Sequence, residues 1–306
     1  MSWRLHLTNQ AVHHLDILDG EPKLLAAWSR LDRVVYYELE TGALYGEQKF
    51  DMPVVENRSE DGWQDFIAAL VAPNAAHLPY VRTPTADMYA TDDGRMRLYQ
   101  NGGGTLTLED DGKEAVLDVK EGDAFRAVAF DRFLGLVVAI DDQAQMHVYQ
   151  QHIRVGVFDL GLKPHEDLPL SVAISRGGGA IFVSDGRRIV LTDSSGRVRQ
   201  CLETHYFIGR MTCSPDGHFV ISSDIDTSVL RIYNGGDLSL AFQRFAIDLV
   251  ADATQVQLIA DLPPATVRVN ALAIDDNGVV AFAMSGVICV TETARMDSLP
   301  RPQALL

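Results

Sequence analysis

The sequence predicts an all-β fold assembled from repeated four-stranded antiparallel sheets. Three observations lead there. Short apolar runs bounded by Gly, Pro and Asp recur through the 306 residues. They recur in one order (strand, turn, strand, turn, strand): four stretches carry all of it and two upstream ones its second half, which makes six copies. Third, one four-stranded sheet cannot bury both of its faces alone. Sheets packed face to face around an axis achieve this, which makes a β-propeller the expected architecture, spanning residues 1–306 as a single domain.

The elements follow in chain order. "WRLHLT" (3–8) alternates and has no hairpin partner of its own. It is expected to act as a closing strand within residues 1–10, pairing with the last sheet and hiding an exposed edge. "LLAAWSRLDRVVYYELETG" (24–42) is the first copy of the unit. In "SEDGWQDFIAALVAP" (59–73), Trp63, Phe66, Ile67, Leu70 and Val71 share one face of a helix. Ser59 suits its N-cap and Pro73 its end. This inserted amphipathic helix either packs on the side of the ring or docks a partner.

"ADMYATDDGRMRLYQNGG" (86–103) is the second copy. Residues 102–123 read as an outer hairpin turning at Asp110-Asp111-Gly112. The third copy is "VAFDRFLGLVVAIDDQAQMHVYQ" (128–150) and the fourth is "VAISRGGGAIFVSDGRRIVLTDSSG" (172–196). "CSPDGHFVISSDIDTSVLRIYNGG" (213–236) is the clearest, the fifth. Residues 239–264 then read as an elaborated outer strand with an extra strand or short helix. "LAIDDNGVVAFAMSGVICVTE" (272–292) is the sixth copy, and residues 294–306, with two prolines, read as a tail. Six blades are expected, with seven as the alternative.

Aligning the third strands places Tyr37, Tyr99, Tyr149, Thr192, Tyr233 and Thr291 at one position, spaced 41 to 62 residues apart. The tightest intervals match the ~40–45 residues of a propeller blade. "VVYYELETG" (34–42) resembles the third-strand signature of WD-repeat proteins, with Tyr37 in the place of the tryptophan. "CSPDGHFVISSD" (213–224) resembles the first and second strands of that repeat. The chain is therefore similar to divergent WD-repeat-like propellers. It departs from their pattern in having no Trp-Asp pair at a third-strand end and no histidine before the first strand.

Composition narrows the function classes. The net charge is −16, which repels a phosphate backbone and an anionic membrane surface alike. No nucleic-acid partner is expected, and no membrane insertion. The three cysteines, Cys201, Cys213 and Cys289, form no CxxC pair and are expected as buried free thiols. With no secretory leader in "MSWRLHLTNQ", a cytoplasmic location follows as the expectation.

The turns between second and third strands carry acids in every middle copy: Asp92 and Asp93, Asp141 and Asp142, Asp185, Asp224 and Asp226. The entrances to the first strands, expected at the same end, carry Arg126, Arg210, Arg268 and Asn270. Together they form a candidate binding mouth. Guanidinium forks suit a carboxylate or phosphate, and carboxylates with an amide oxygen suit calcium. The plainer reading is that Asp is here a turn former.

"NALAIDDNG" (270–278) resembles a run in calcium-dependent gluconolactonase-type propellers. That resemblance implies Asn270 and Asp224 as metal ligands of a lactonase or related hydrolase. No GxSxG, HExxH or Walker A pattern is present. The leading expectation is a non-enzymatic scaffold for a protein partner, with no cofactor. The metal-dependent lactonase is the alternative.

Overall fold

The computed structural model describes residues 2–6, 12, 14–30, 33–49, 77–78, 88–91, 96–100, 106–110, 113–117, 125–131, 134–150, 153–165, 168–250, 268–284 and 286–293. Among them, the strands form six antiparallel sheets. The chain is all-β with a propeller-like repetition. The expected helix over 59–73, with Trp63, Phe66, Ile67 and Leu70, lies outside the described residues. So do Asp92, Asp93 and the tail 294–306.

Sheet 1 runs β2 (His14–Leu18), β3 (Leu24–Arg30), β4 (Arg33–Glu38) and β5 (Leu44–Lys49). Sheet 2 has five strands, β6 (His77–Leu78), β7 (Met88–Thr91), β8 (Met96–Gln100), β9 (Leu106–Asp110) and β10 (Lys113–Val116). The last two form the expected outer hairpin, Asp110 pairing with Lys113. Sheet 3 is β11 (Phe125–Asp131), β12 (Leu136–Asp141), β13 (Gln145–Gln150) and β14 (Ile153–Asp159).

Sheet 4 is β15 (Ser171–Ile174), β16 (Ile181–Ser184), β17 (Arg188–Thr192) and β18 (Gln200–Glu203). Sheet 5 is β19 (Ile208–Cys213), β20 (Phe219–Asp224), β21 (Val229–Asn234) and β22 (Leu240–Phe245). Sheet 6 is β23 (Val269–Ile274), β24 (Val279–Met284) and β25 (Val287–Glu292), with β1 (Ser2–His6) as its fourth strand. β1 lies antiparallel to β25, Ser2 opposite Thr291 and His6 opposite Val287.

Tyr37, Tyr99, Tyr149, Thr192, Tyr233 and Thr291 all fall in third strands, each opposite one of the first two residues of its second strand. The repeat alignment therefore corresponds to real structural equivalence.

Both faces of the middle strands are buried. Val220 and Tyr233 of sheet 5 pack with Phe182 and Leu191 of sheet 4. Ile221 and Ile232, one residue out of phase, pack with Leu272 and Phe282 of sheet 6. Sheet 6 in turn packs Ala281 and Val290 against Leu25 and Tyr37 of sheet 1. Sheets 3 and 4 share Val138, Met146, Ile181 and Val190. This explains why β12 and β24 read as unbroken apolar runs: strand alternation sends successive side chains to two different cores.

Two rim features complete the packing. β22 leads into a short helix, Ala246–Val250, whose Leu249 and Val250 fill the seam between sheets 5 and 6. Its Leu249 carbonyl accepts the Arg4 Nε–H of β1 at 2.7 Å. On sheet 3, the ring of Phe158 lies over Gly156 and over Gly196 of the next sheet. A Cβ would come within 2.3 Å of the ring at Gly156 and 2.2 Å at Gly196, and Gly196 also holds φ +76°. Only glycine lets that ring close the gap.

Candidate functional site

Three carboxylates of the second-to-third turns, Asp141, Asp185 and Asp224, share one geometry. Oδ1 of Asp141 accepts the N–H groups of Gln143 and Gln145 at 2.9 and 2.8 Å. Oδ1 of Asp185 accepts those of Arg187 and Arg188 at 3.0 and 2.8 Å. Oδ1 of Asp224 accepts those of Asp226 and Thr227 at 2.9 and 3.3 Å. This is the local turn chemistry of aspartate.

Oδ2 goes elsewhere, in each case to a basic side chain of the third strand. His147 Nε2 donates to Asp141 at 2.8 Å. Arg188 donates to Asp185 through Nε and Nη2 at 3.0 and 2.8 Å. Arg231 Nη1 approaches Asp224 at 3.5 Å. All three aspartates are buried. They are turned into the sheets as posts that fasten the turn to the third strand. For Asp185, burial pushes the carboxyl up, but the Lys163, Arg187 and Arg188 donors outweigh it and hold it below the usual range.

The strand entrances lie at the same end. Phe125 stands opposite Asp141 and Ile208 opposite Asp224. Arg126 occupies a bulge directly after Phe125, and Arg210 pairs with Ser223. Asn270 occupies the equivalent bulge of β23, half-buried, with Arg268 just before that strand. Bulges re-aim side chains at sheet ends. Arg126, Arg210 and Arg268 are all exposed. This end therefore presents guanidiniums outward and buries Asp141, Asp185 and Asp224, while Asp142 and Asp226 stay exposed beside them.

The same geometry bears on metal binding. Asp224, an expected calcium ligand beside Asn270, already accepts two turn N–H groups and faces Arg231. Among the described residues, no group of three or more His, Cys, Asp or Glu side chains is placed to hold a metal ion. Both oxygens of Asp224 are thus engaged by protein donors.

Two polar networks carry no simple sequence signal. The hydroxyl of Tyr206, just before β19, meets the hydroxyls of Tyr233 and Ser222. The Arg231 guanidinium lies 3.5 Å from the centre of the Tyr206 ring. Tyr206 thus joins first-strand entrance, second strand and third strand, where a histidine is expected in a WD-type repeat. Burial, and then the neighbouring Tyr206, push the Tyr233 phenol well up.

The second network runs along the opposite end, through the first-to-second turns. Asp131 of sheet 3 accepts Gly177 N–H of sheet 4 at 2.7 Å. Arg176 N–H donates to Pro215 O of sheet 5 at 2.6 Å. Asp216 N–H donates to Asp276 of sheet 6 at 2.7 Å, and Lys23 of sheet 1 donates to Asp275 at 3.0 Å. A further bond joins Arg176 of sheet 4 to Asp19 of sheet 1 at 2.8 Å.

The thiols depart from expectation in one place. Cys289 is buried and Cys213 half-buried, and burial pushes both up to about 12. Cys201 is exposed, because β18 is an outermost strand with no buried residue along it.

No family model and no curated protein sequence matches the chain. Among solved structures, it is similar to Raptor from Chaetomium thermophilum at 9% identity and a TM-score of 0.64. That match covers 95% of this chain and 30% of the other, so the chain spans about a third of that protein's length. It is also similar to the computationally designed protein Ika8, at 12% identity and a TM-score of 0.56, over 94% and 98% of the two chains. At these identities the likeness is one of fold.

Proposed function

We propose that the chain is a six-bladed, WD-repeat-like propeller, closed by its N-terminal strand, that acts as a non-enzymatic scaffold for a protein partner in the cytoplasm. One observation carries the reading. At the end bearing the second-to-third turns, Asp141, Asp185 and Asp224 are held by internal bonds, and Arg126, Arg210 and Arg268 reach the surface near the exposed Asp142 and Asp226. Such a surface is rigid and unreactive, and its forks suit the carboxylates of an acidic segment. The free thiols fit a reducing compartment. In the segment 59–73, Trp63, Phe66, Ile67 and Leu70 offer apolar anchors for the same partner.

The test is affinity purification from the native cell with the chain and its Arg126→Ser/Arg210→Ser/Arg268→Ser variant. A stoichiometric protein partner, lost in the variant while the thermal midpoint is unchanged, is the expected result. Partner retention in the variant would remove the arginine end from the proposal. Calcium-dependent thermal stabilisation abolished by Asn270→Ala would replace the scaffold with the lactonase.

A further inference from the structure

We propose that β14 is a strand-addition site, which takes an extended, β-branched peptide segment of a partner protein along its free edge. β14 is the outermost strand of sheet 3. Alternate backbone N–H and C=O groups of such an edge point away from the sheet, ready to pair with another strand. Among the described residues, none pairs with it on that side.

Its side chains match its backbone. Ile153, Val155 and Val157, at alternate positions, are 63%, 54% and 42% exposed. They are three of the eight large exposed hydrophobics among the described residues, so the apolar exposure is concentrated here. Three other outer strands are guarded: β18 has only four residues, β22 runs straight into a packed helix, and β5, though it exposes Leu44 and Tyr45, ends in Lys49. β14 contains no proline or lysine, the usual blocks to edge pairing. Phe158 anchors the strand from the opposite side by closing over Gly156 and Gly196.

The occupant follows from size. Seven residues extend about 23 Å, and one strand of that length offers far less than the ~800 Å² per partner of a stable dimer. A second copy of this chain is therefore a poor fit. A peptide strand is a good one, since main-chain bonds supply affinity and alternate apolar side chains supply register. This surface is separate from the arginine-bearing end and does not depend on it.

The test uses the full chain and a fluorescein-labelled octapeptide, Lys-Thr-Val-Thr-Val-Thr-Val-Lys. Fluorescence anisotropy should show saturable binding, with new amide-exchange protection confined to residues 153–159. Affinity should fall about tenfold or more for the Val155→Lys/Val157→Lys variant, and likewise for the peptide N-methylated at alternate residues. Equal binding of the N-methylated peptide, or protection elsewhere, would overturn strand addition. So would no binding at millimolar peptide. Concentration-dependent dimerisation of the free chain, abolished by the double lysine variant, would make a second copy the occupant instead. If the variant fails to fold, the wild-type exchange pattern and the N-methylated peptide still decide the outcome.

Discussion

Asp185 shows how one residue can be read correctly in kind and incompletely in role. Its place in a turn follows from the local preference of aspartate for backbone N–H groups. Its third-strand partner does not. The basic residues that meet Asp141, Asp185 and Asp224 lie six, three and seven residues downstream, a spacing with no fixed period. The consequence is measurable. Asp185→Asn removes a buried charge from Arg188 and should cost about 3 kcal/mol in urea unfolding at pH 7. The folded carboxyl titrates below its ordinary value, so its stabilisation is complete above the unfolded pKa and is lost as pH falls through the folded one. The gap between wild type and Asp185→Asn should therefore close below about pH 4.

Among elements, β1 carries the most weight for its size. Trp3 packs against the core shared by sheets 6 and 1, and its Nε1–H donates to Leu39 O at 2.7 Å. Gly42, at φ +73°, leaves room for the indole, which a Cβ there would approach within 2.8 Å. Deleting residues 1–10 exposes the edge of β25 and empties that seam, so it should cost at least ~3 kcal/mol. Unchanged cooperative unfolding after the deletion would refute the role of β1. This pairing was legible in the sequence because "WRLHLT" alternates without a local partner. The outer hairpin of sheet 2 was legible from its Asp-Asp-Gly turn. The short helix Ala246–Val250 was readable only as an elaboration, since five residues give no period to detect. The Tyr206 network was hidden because its three hydroxyls are distant in sequence and a tyrosine stands where the repeat's histidine is expected.

For the whole molecule, the two ends of the sheets differ in construction. The first-to-second turns are bonded one to the next through sheets 3, 4, 5, 6 and 1. This chain of contacts was invisible in the sequence, because each bond joins two turns that form independently. It has a weak point at Asp276. Burial raises its carboxyl, the Asp216 N–H offsets part of that, and the nearby Asp216 charge raises it again. A raised carboxyl favours the fold while protonated and loses that advantage as pH rises through its folded value. Asp276→Asn keeps the oxygen that accepts from Asp216 and drops the charge. Its thermal midpoint should exceed that of wild type at pH 7, and the two should converge once the pH falls below the unfolded aspartate value of about 4. The pairing of β1 with β25 also sets a timetable. Ser2 is synthesised about 290 residues before Thr291, so at ~5–20 residues per second it waits roughly 15 to 60 s for its partner. During translation the nascent chain holds an unmatched β1 and an uncovered first sheet, and the seam between them and β25 can be sealed only after Thr291 has been made.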